Sequence, residues 1–226
     1  MTGPPGAPTH WTRTMFAPSR PEDLTVAIDG AHDLMNRLVT ARYRHPRTDL
    51  ISHGATIAPR GGLSRDEVVT LAFGMWWAGI ENTAHLISRS ALDLIHPAAD
   101  HRRQRPVDRH LIEELLAGQG PVLTAARRFA RHDLTIAGQL IPAGDTVLLT
   151  LTTTGPPRTD RVRHLAFGHG PHRCPGAALA RLELRAAFTA LQHHLPYCTL
   201  TVPHHLLPHR TSHRLAGLLA LPLTAW

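Results

Sequence analysis

The chain has 226 residues, 2 cysteines and a formal net charge of +7, and every one of its basic side chains apart from histidine is an arginine. That length suffices for one well-buried domain or two small ones, while so few cysteines exclude a disulfide-built fold and suit a reducing cytosol. The arginines are scattered, aromatics make up only 5%, and no helix-turn-helix, finger or RNP motif occurs, so no nucleic-acid partner is expected.

Residues 1 to 18, rich in Pro, Gly and Thr, read as a flexible lead-in without the apolar stretch of a signal peptide. The remainder, 19 to 226, reads as a single domain. Ser19-Arg20-Pro21-Glu22 offers an N-cap, an early proline and a capping-box acid. The helix behind it carries Leu24, Ile28, Leu34, Leu38 and Val39 on or near one face and ends at His45-Pro46. Residues 46 to 63, with Gly61-Gly62, read as a loop. Ser64-Arg65-Asp66-Glu67 is a second capping box, and its helix runs about 30 residues to Ile95, where His96-Pro97 stops it. That helix is apolar nearly all round in its first half, which predicts burial through the middle of the domain. Its longest apolar run, Val68 to Ile80, covers 13 residues, too few to span a bilayer, so no membrane is expected.

A polar loop leads to a short helix from His110 to Ala117. Extended segments are expected over Leu123 to Ala130, Leu134 to Ile136 and Thr146 to Thr152, with the turn Ile141-Pro142-Ala143-Gly144 before the last. A further helix ends near His194, and Leu206 to Trp226 reads as a closing hairpin. The fold class is mainly α with short β segments.

The last helix is preceded by Phe167-Gly168-His169-Gly170-Pro171-His172-Arg173-Cys174-Pro175-Gly176. A lone thiol framed by glycines at a helix N-terminus meets free amides and the positive end of the helix dipole, which favour a thiolate. Such a thiolate suits a soft axial bond to iron. Two other readings stand beside it. Cys174 can be a small buried hydrophobe, or His169, His172 and Cys174 can bind zinc, although structural zinc sites use four ligands in paired spacings. Cys198, in Pro196-Tyr197-Cys198-Thr199, has no metal spacing.

The run Phe-Gly-x-Gly-x-His-x-Cys-x-Gly, followed by Leu179-Ala180-Arg181, resembles the haem-binding loop of the cytochrome P450 family without a gap. The resemblance implies haem b as cofactor, with Cys174 as the metal ligand and Phe167, Gly168, Gly170 and Gly176 lining the cofactor. Ala78-Gly79-Ile80-Glu81-Asn82-Thr83 in the long helix resembles the family's distal-helix motif. There Ala78 and Gly79 let the helix open over the haem, and an acid and an alcohol guide protons. Glu81 matches the acid, Asn82 occupies the alcohol position and Thr83 follows; an amide can hold a water but cannot pass on its own proton as a hydroxyl can. Ile112 to Ala117 resembles the Glu-x-x-Arg helix, with Glu114 as the acid and Ala117 where the arginine belongs. Glu114 must then be exposed, re-paired or protonated. By the same resemblance Arg128, in register with Ile141-Pro142 and Gly144, and His164, just before Leu165, hold the haem propionates.

The likeness runs from about residue 30 to the C-terminus and corresponds to the C-terminal core of the family, whose N-terminal half has no counterpart. Arg158, Arg161 and Arg163 are candidates for the arginine of the family's missing meander. The resemblance implies a soluble, cytoplasmic monooxygenase of the bacterial type. It would act on a small organic, secondary-metabolite-like molecule with a ferredoxin-type redox partner. Two alternatives are carried: a non-catalytic or partner-completed haem-binding remnant, and a haem enzyme using peroxide or Lewis-acid chemistry. Without lid helices, the flank at Phe73, Met75, Trp76 and Trp77 would be open, which predicts a homodimer or a separate completing chain, unless residues 1 to 60 fold back as a minimal lid.

Overall fold

The computed structural model describes residues 8–16, 18–61, 63–95, 105–151, 164–210 and 215–225. Chain contacts divide it into two compact units, Met1–Glu81 and Asn82–Trp226, the division falling inside one long helix.

In the first unit, α1 (Pro8–Phe16) forms where the sequence reads as a loose lead-in. Two aromatic anchors explain the difference. The Trp11 ring lies over Gly30 so closely that a Cβ at Gly30 would stand 2.8 Å from it, and Phe16 stacks on Trp77 with centroids 5.1 Å apart and planes 3° from parallel. Helix α2 (Pro21–Arg44) follows. Its first turn is closed by Asp23, not Glu22, whose Oδ2 accepts the Arg20 amide at 3.1 Å. The expected loop contains a helix of its own, α3 (Leu50–Gly61). Asp49 caps it: the Ser52 amide donates to Asp49 Oδ1 at 2.8 Å, and the Arg47 amide donates to Ser52 Oγ at 2.8 Å. The capping box before α4 (Arg65–Ile95) forms as read, with Ser64 N–H to Glu67 Oε2 at 2.6 Å and Glu67 N–H to Ser64 Oγ at 3.2 Å. His96-Pro97 lies outside the described residues.

Met35 and Val39 of α2 pack on Val68 and Val69 of α4, with Phe73 and Trp76 against them. The first half of α4 is therefore one-sided, not buried all round: Leu71, Met75 and Trp77 remain 52%, 48% and 40% exposed. Phe73 and Trp76 of the expected open flank are covered within this unit, and Trp77 carries Phe16 on its ring.

In the second unit, α5 (Arg109–Gln119) begins at Asp108, whose Oδ1 accepts the Leu111 amide at 2.9 Å, and runs two residues past the expected end. It packs on α6 (Ala177–His194). Leu111, Ile112, Leu115 and Leu116 meet Leu184 and Phe188, and Leu86 and Leu94 from the end of α4 join them. Each such leucine, taken out of water, contributes about 1.5–3 kcal/mol.

Between α5 and α6 the extended region is more broken than read. Strands β1 (Arg128–Phe129) and β4 (Thr146–Val147) pair antiparallel, as do β2 (Leu134–Ile136) and β3 (Gln139–Ile141). The β2–β3 turn has Ala137 at φ 48° and Gly138 at φ 81°, the twist a two-residue hairpin needs. Val122 and Thr124 make only isolated bridges, to Leu215 and Thr150. After α6, β5 (Cys198–Leu200) pairs with β6 (Leu223–Ala225), and a bridge between His209 and Leu218 closes the tail. Mainly helical with short sheets, the fold is the class the sequence predicts.

Candidate functional site

Cys174 sits in the loop between His164 and the first turn of α6. Three backbone bonds set the loop's shape. The Gly168 amide donates to the Leu165 carbonyl at 2.8 Å, Arg173 N–H to the Gly170 carbonyl at 3.0 Å, and Cys174 N–H to the Phe167 carbonyl at 2.9 Å. Gly168 and Gly170 stand at φ 68° and 80°, a region that strains residues with a Cβ. Nothing lies within 4 Å of where a Cβ would project from either. Cys174 is a free, half-buried thiol, and a Cβ on Gly176 would touch its Sγ at 3.8 Å. Gly176 is also the N-cap of α6, and its carbonyl accepts the Ala180 amide at 2.9 Å.

Phe167 is gripped from two sides. The Arg181 guanidinium lies 4.6 Å from its ring centroid, and the His164 ring stands tilted at 6.2 Å. Both clamps belong to Glu113 on α5. Its Oε1 accepts Arg181 Nε at 2.6 Å, its Oε2 accepts Arg181 Nη2 at 2.8 Å, and Oε2 also meets His164 Nε2 at 2.8 Å. The Arg181 fork first, and His164 after it, hold the Glu113 carboxyl down at about 2. The same salt link raises the Arg181 pKa above its ordinary value.

This arrangement also gives His164 its partners within the protein. His164 Nδ1 accepts the Ala166 amide at 3.3 Å, and Nε2 faces Glu113. Both ring nitrogens of His164 thus lie within hydrogen-bond reach of groups in the protein. Arg128, the other expected propionate partner, is exposed on β1, opposite Val147. Glu114 is re-paired: Arg105 Nη1 meets its Oε2 at 2.8 Å, nine residues upstream. Arg158, Arg161 and Arg163 lie outside the described residues.

On α4, Ala78 and Gly79 are exposed, Glu81 is buried and Asn82 and Thr83 are half-buried. The helix runs unbroken through this stretch and does not open at the Ala-Gly pair. No atom lies within 4 Å of a Cβ built on Gly79.

The Cys174 loop thus runs into α6, and residues 78 to 83 lie within α4. Sequence reasoning missed Glu113 and Arg105. Two adjacent glutamates on a helix point about 100° apart and so serve different partners, a signal present in Glu113-Glu114 but unable to say which partner goes where.

Among the described residues, no three His, Cys, Asp or Glu side chains converge on a metal position, so His169, His172 and Cys174 do not form a zinc site. One soft donor suits a metal whose other ligands come from a macrocycle. The open sides of Gly168 and Gly170 leave room for a flat group against the loop. The residues present fit haem.

Known proteins resemble the chain along most of its length. A family model described as Cytochrome P450 matches residues 152–222. The vitamin D(3) 25-hydroxylase of Pseudonocardia autotrophica is 34% identical over 95% of this chain and 57% of its own length. The monooxygenase PikC of Streptomyces venezuelae is 33% identical over 94% of this chain and 55% of its own. Among solved structures, MoxA of Nonomuraea recticatena superposes with a TM-score of 0.82 at 29% identity, covering 96% of this chain and 58% of that one. The chain therefore spans a little over half the length of the relatives it matches. Among the described residues, no helix is long and apolar enough to cross a membrane.

Proposed function

Since the chain belongs to the cytochrome P450 family, we propose that it is the Cys174-bearing core of a haem-thiolate monooxygenase acting on a small organic, secondary-metabolite-like substrate, with electrons from a ferredoxin-type partner. The observation that carries the reading is the seat of Cys174: a free thiol, fixed by its amide on the Phe167 carbonyl, just before the first turn of α6. When bound, the haem would supply oxygen activation, and the thiolate would favour it by pushing electron density onto the iron.

The remaining roles belong to side chains of the chain itself. Cys174 Sγ would supply the protein's ligand to the haem iron. Gly168, Gly170 and Gly176 keep the loop slim enough for a flat ligand. Arg128 would hold a propionate by a charge-assisted hydrogen bond. Glu81 takes up and releases the proton at its carboxylate, Asn82 holds a water through its amide, and Thr83 offers the nearest hydroxyl. Residues 19 to 226 act as one haem-binding domain.

A second reading, haem binding without oxygen activation, is favoured by Asn82, because an amide cannot hand on its own proton. The test is the ferrous-CO spectrum of the purified chain loaded with haem. The expected result is the red-shifted band of thiolate-bound haem, lost in Cys174→Ser and kept in Cys198→Ala. The reverse pattern overturns the assignment. NADPH-driven turnover with a ferredoxin system then separates the two readings.

A further inference from the structure

Resting on the haem-thiolate reading, we propose that Glu113 is the positioning residue of the Cys174 loop: one carboxylate on α5 holds both ends of the loop and, through them, the ring of Phe167. The loop leaves His164 and returns to the chain's regular structure at the first turns of α6. Glu113 Oε2 meets His164 Nε2 at one end, at 2.8 Å. At the other, Glu113 takes the Arg181 fork through both oxygens, at 2.6 and 2.8 Å. Arg181 is itself tied to the first turn of α6, Nη1 donating to the Ala177 carbonyl at 3.0 Å. A planar fork on a carboxylate fixes direction as well as distance.

These ends matter because the side chains between them hold the thiol's backbone. Arg181 and His164 flank the Phe167 ring, and the Phe167 carbonyl accepts the Cys174 amide at 2.9 Å. Three links therefore run from Glu113 to Cys174. Glu114, next along α5, is outside this chain of contacts because it is committed to Arg105. With Ala117 in place of the arginine, the sequence invites the reading that α5 has lost its anchor. The contacts give the anchoring role to the neighbouring acid instead. α5 also packs on α6 through Leu111, Ile112, Leu115 and Leu116, so Glu113 is carried on a rigid support.

In this role Glu113 touches neither the cofactor nor a reacting atom. It acts by limiting where Sγ can go. If it does so, its loss loosens the loop without unfolding the α5–α6 core, and Cys174 becomes both more accessible to reagents and less well aimed.

The experiment uses the full chain in a Cys198→Ala background, so that Cys174 is the only thiol. The first measurement is the rate at which an aromatic disulfide reagent modifies Cys174 before haem is added. The second is the fraction of bound haem that shows the thiolate-type ferrous-CO band. Glu113→Gln, which keeps size and removes the charge, is expected to raise the modification rate about tenfold and lower the thiolate fraction. Arg181→Lys, which keeps charge and loses the fork, should act in the same direction and serves if Glu113→Gln does not fold. Glu183→Gln, an exposed acid on α6, should match the parent in both. The positioning role is overturned if a folded Glu113→Gln and Arg181→Lys react like the parent, or if Glu183→Gln moves the rate equally. If the parent binds no haem, the haem-thiolate reading fails, and the thiol rates alone still decide the role of Glu113.

Discussion

Gly217 lies against the imidazole of His85 so tightly that a Cβ there would stand 2.2 Å from Nδ1 and 2.5 Å from Cγ. His85 is buried on α4, and Gly217 follows Leu215 and Ala216, whose backbones pair with Val122 and Pro121. Beyond the glycine, Leu218 bridges to His209 and the Leu219 amide donates to the Pro208 carbonyl at 2.8 Å, so the tail is pinned on both sides and has no room to retreat from the ring. Gly217→Ala is expected to cost about 1–3 kcal/mol, the range for overpacking a well-fitted contact, read as a lowered denaturation midpoint. Truncating the ring in His85→Ala should make Gly217→Ala nearly neutral. A cycle in which the two changes simply add would show that the contact does not limit this position.

Gly30 poses the same question inside a helix. Mid-helix glycine ordinarily costs up to about 1 kcal/mol relative to alanine, so Gly30→Ala on α2 would normally stabilise. Here the added methyl would meet the Trp11 ring at 2.8 to 2.9 Å. The expected net outcome is destabilisation, with the emission of Trp11 shifting to the red as α1 lifts off. A gain in stability with unchanged emission would mean that Trp11 moves aside at no cost.

How much of this was legible in the sequence follows from the range of the interactions. The Ser64–Glu67 box was readable because both partners lie within one turn. The Cys174 loop was readable because its chemistry is confined to ten residues. Helices α1 and α3 were not readable in the same way. One is held by Trp11 on Gly30 and Phe16 on Trp77, contacts that no local pattern announces. The other is capped by Asp49 and Ser52 without the glutamate that usually signals a box. Glu113 and Arg181 lie 68 positions apart, so the sequence showed an orphaned Glu114 where the fold supplies a different pair. The acid that meets His164 is out of local view in the same way, 51 positions away.

The Glu113 pair has a pH signature. Its carboxyl is lowered from 4.5 to about 2, first by the Arg181 hydrogen bonds. A depressed folded-state pKa gives stability that is fully present above the unfolded value and lost as pH falls toward the folded one. The loss due to Glu113 should therefore appear between pH 4.5 and about 2. Asp49, lowered from 3.8 to about 2, contributes in the lower part of that window. The measurement is accordingly the difference between the parent and Glu113→Gln across an acid titration. Parallel curves would remove Glu113 from the acid transition.

Asn82 bears on how well electrons are used. If its amide only holds a water, part of the reducing power should end as peroxide. Asn82→Thr should then release less peroxide and give more product for each NADPH consumed, at unchanged haem content. Should neither quantity move, the relay runs through another group on α4, for which Thr83→Val is the direct test.

The last expectation concerns Glu114. Arg105 and Glu114 are 31% and 26% exposed at their side chains, so their pair is worth no more than about 1 kcal/mol. Arg105→Ala should cost about that much and no more, because the Arg105 carbonyl that takes the Gln192 amide at 3.0 Å is backbone and stays in place. Ala117 lies one helical turn beyond Glu114 on α5, so Ala117→Arg can reach the same carboxylate as an i,i+3 pair. In the parent that arginine should change little, since Glu114 is already engaged. In Arg105→Ala it should recover most of the loss, read by thermal denaturation of both single variants and the double. Recovery in the double but not in the parent would show that Arg105 does the work an arginine at 117 would otherwise do. Equal effects in both backgrounds would mean the two positions never compete for Glu114.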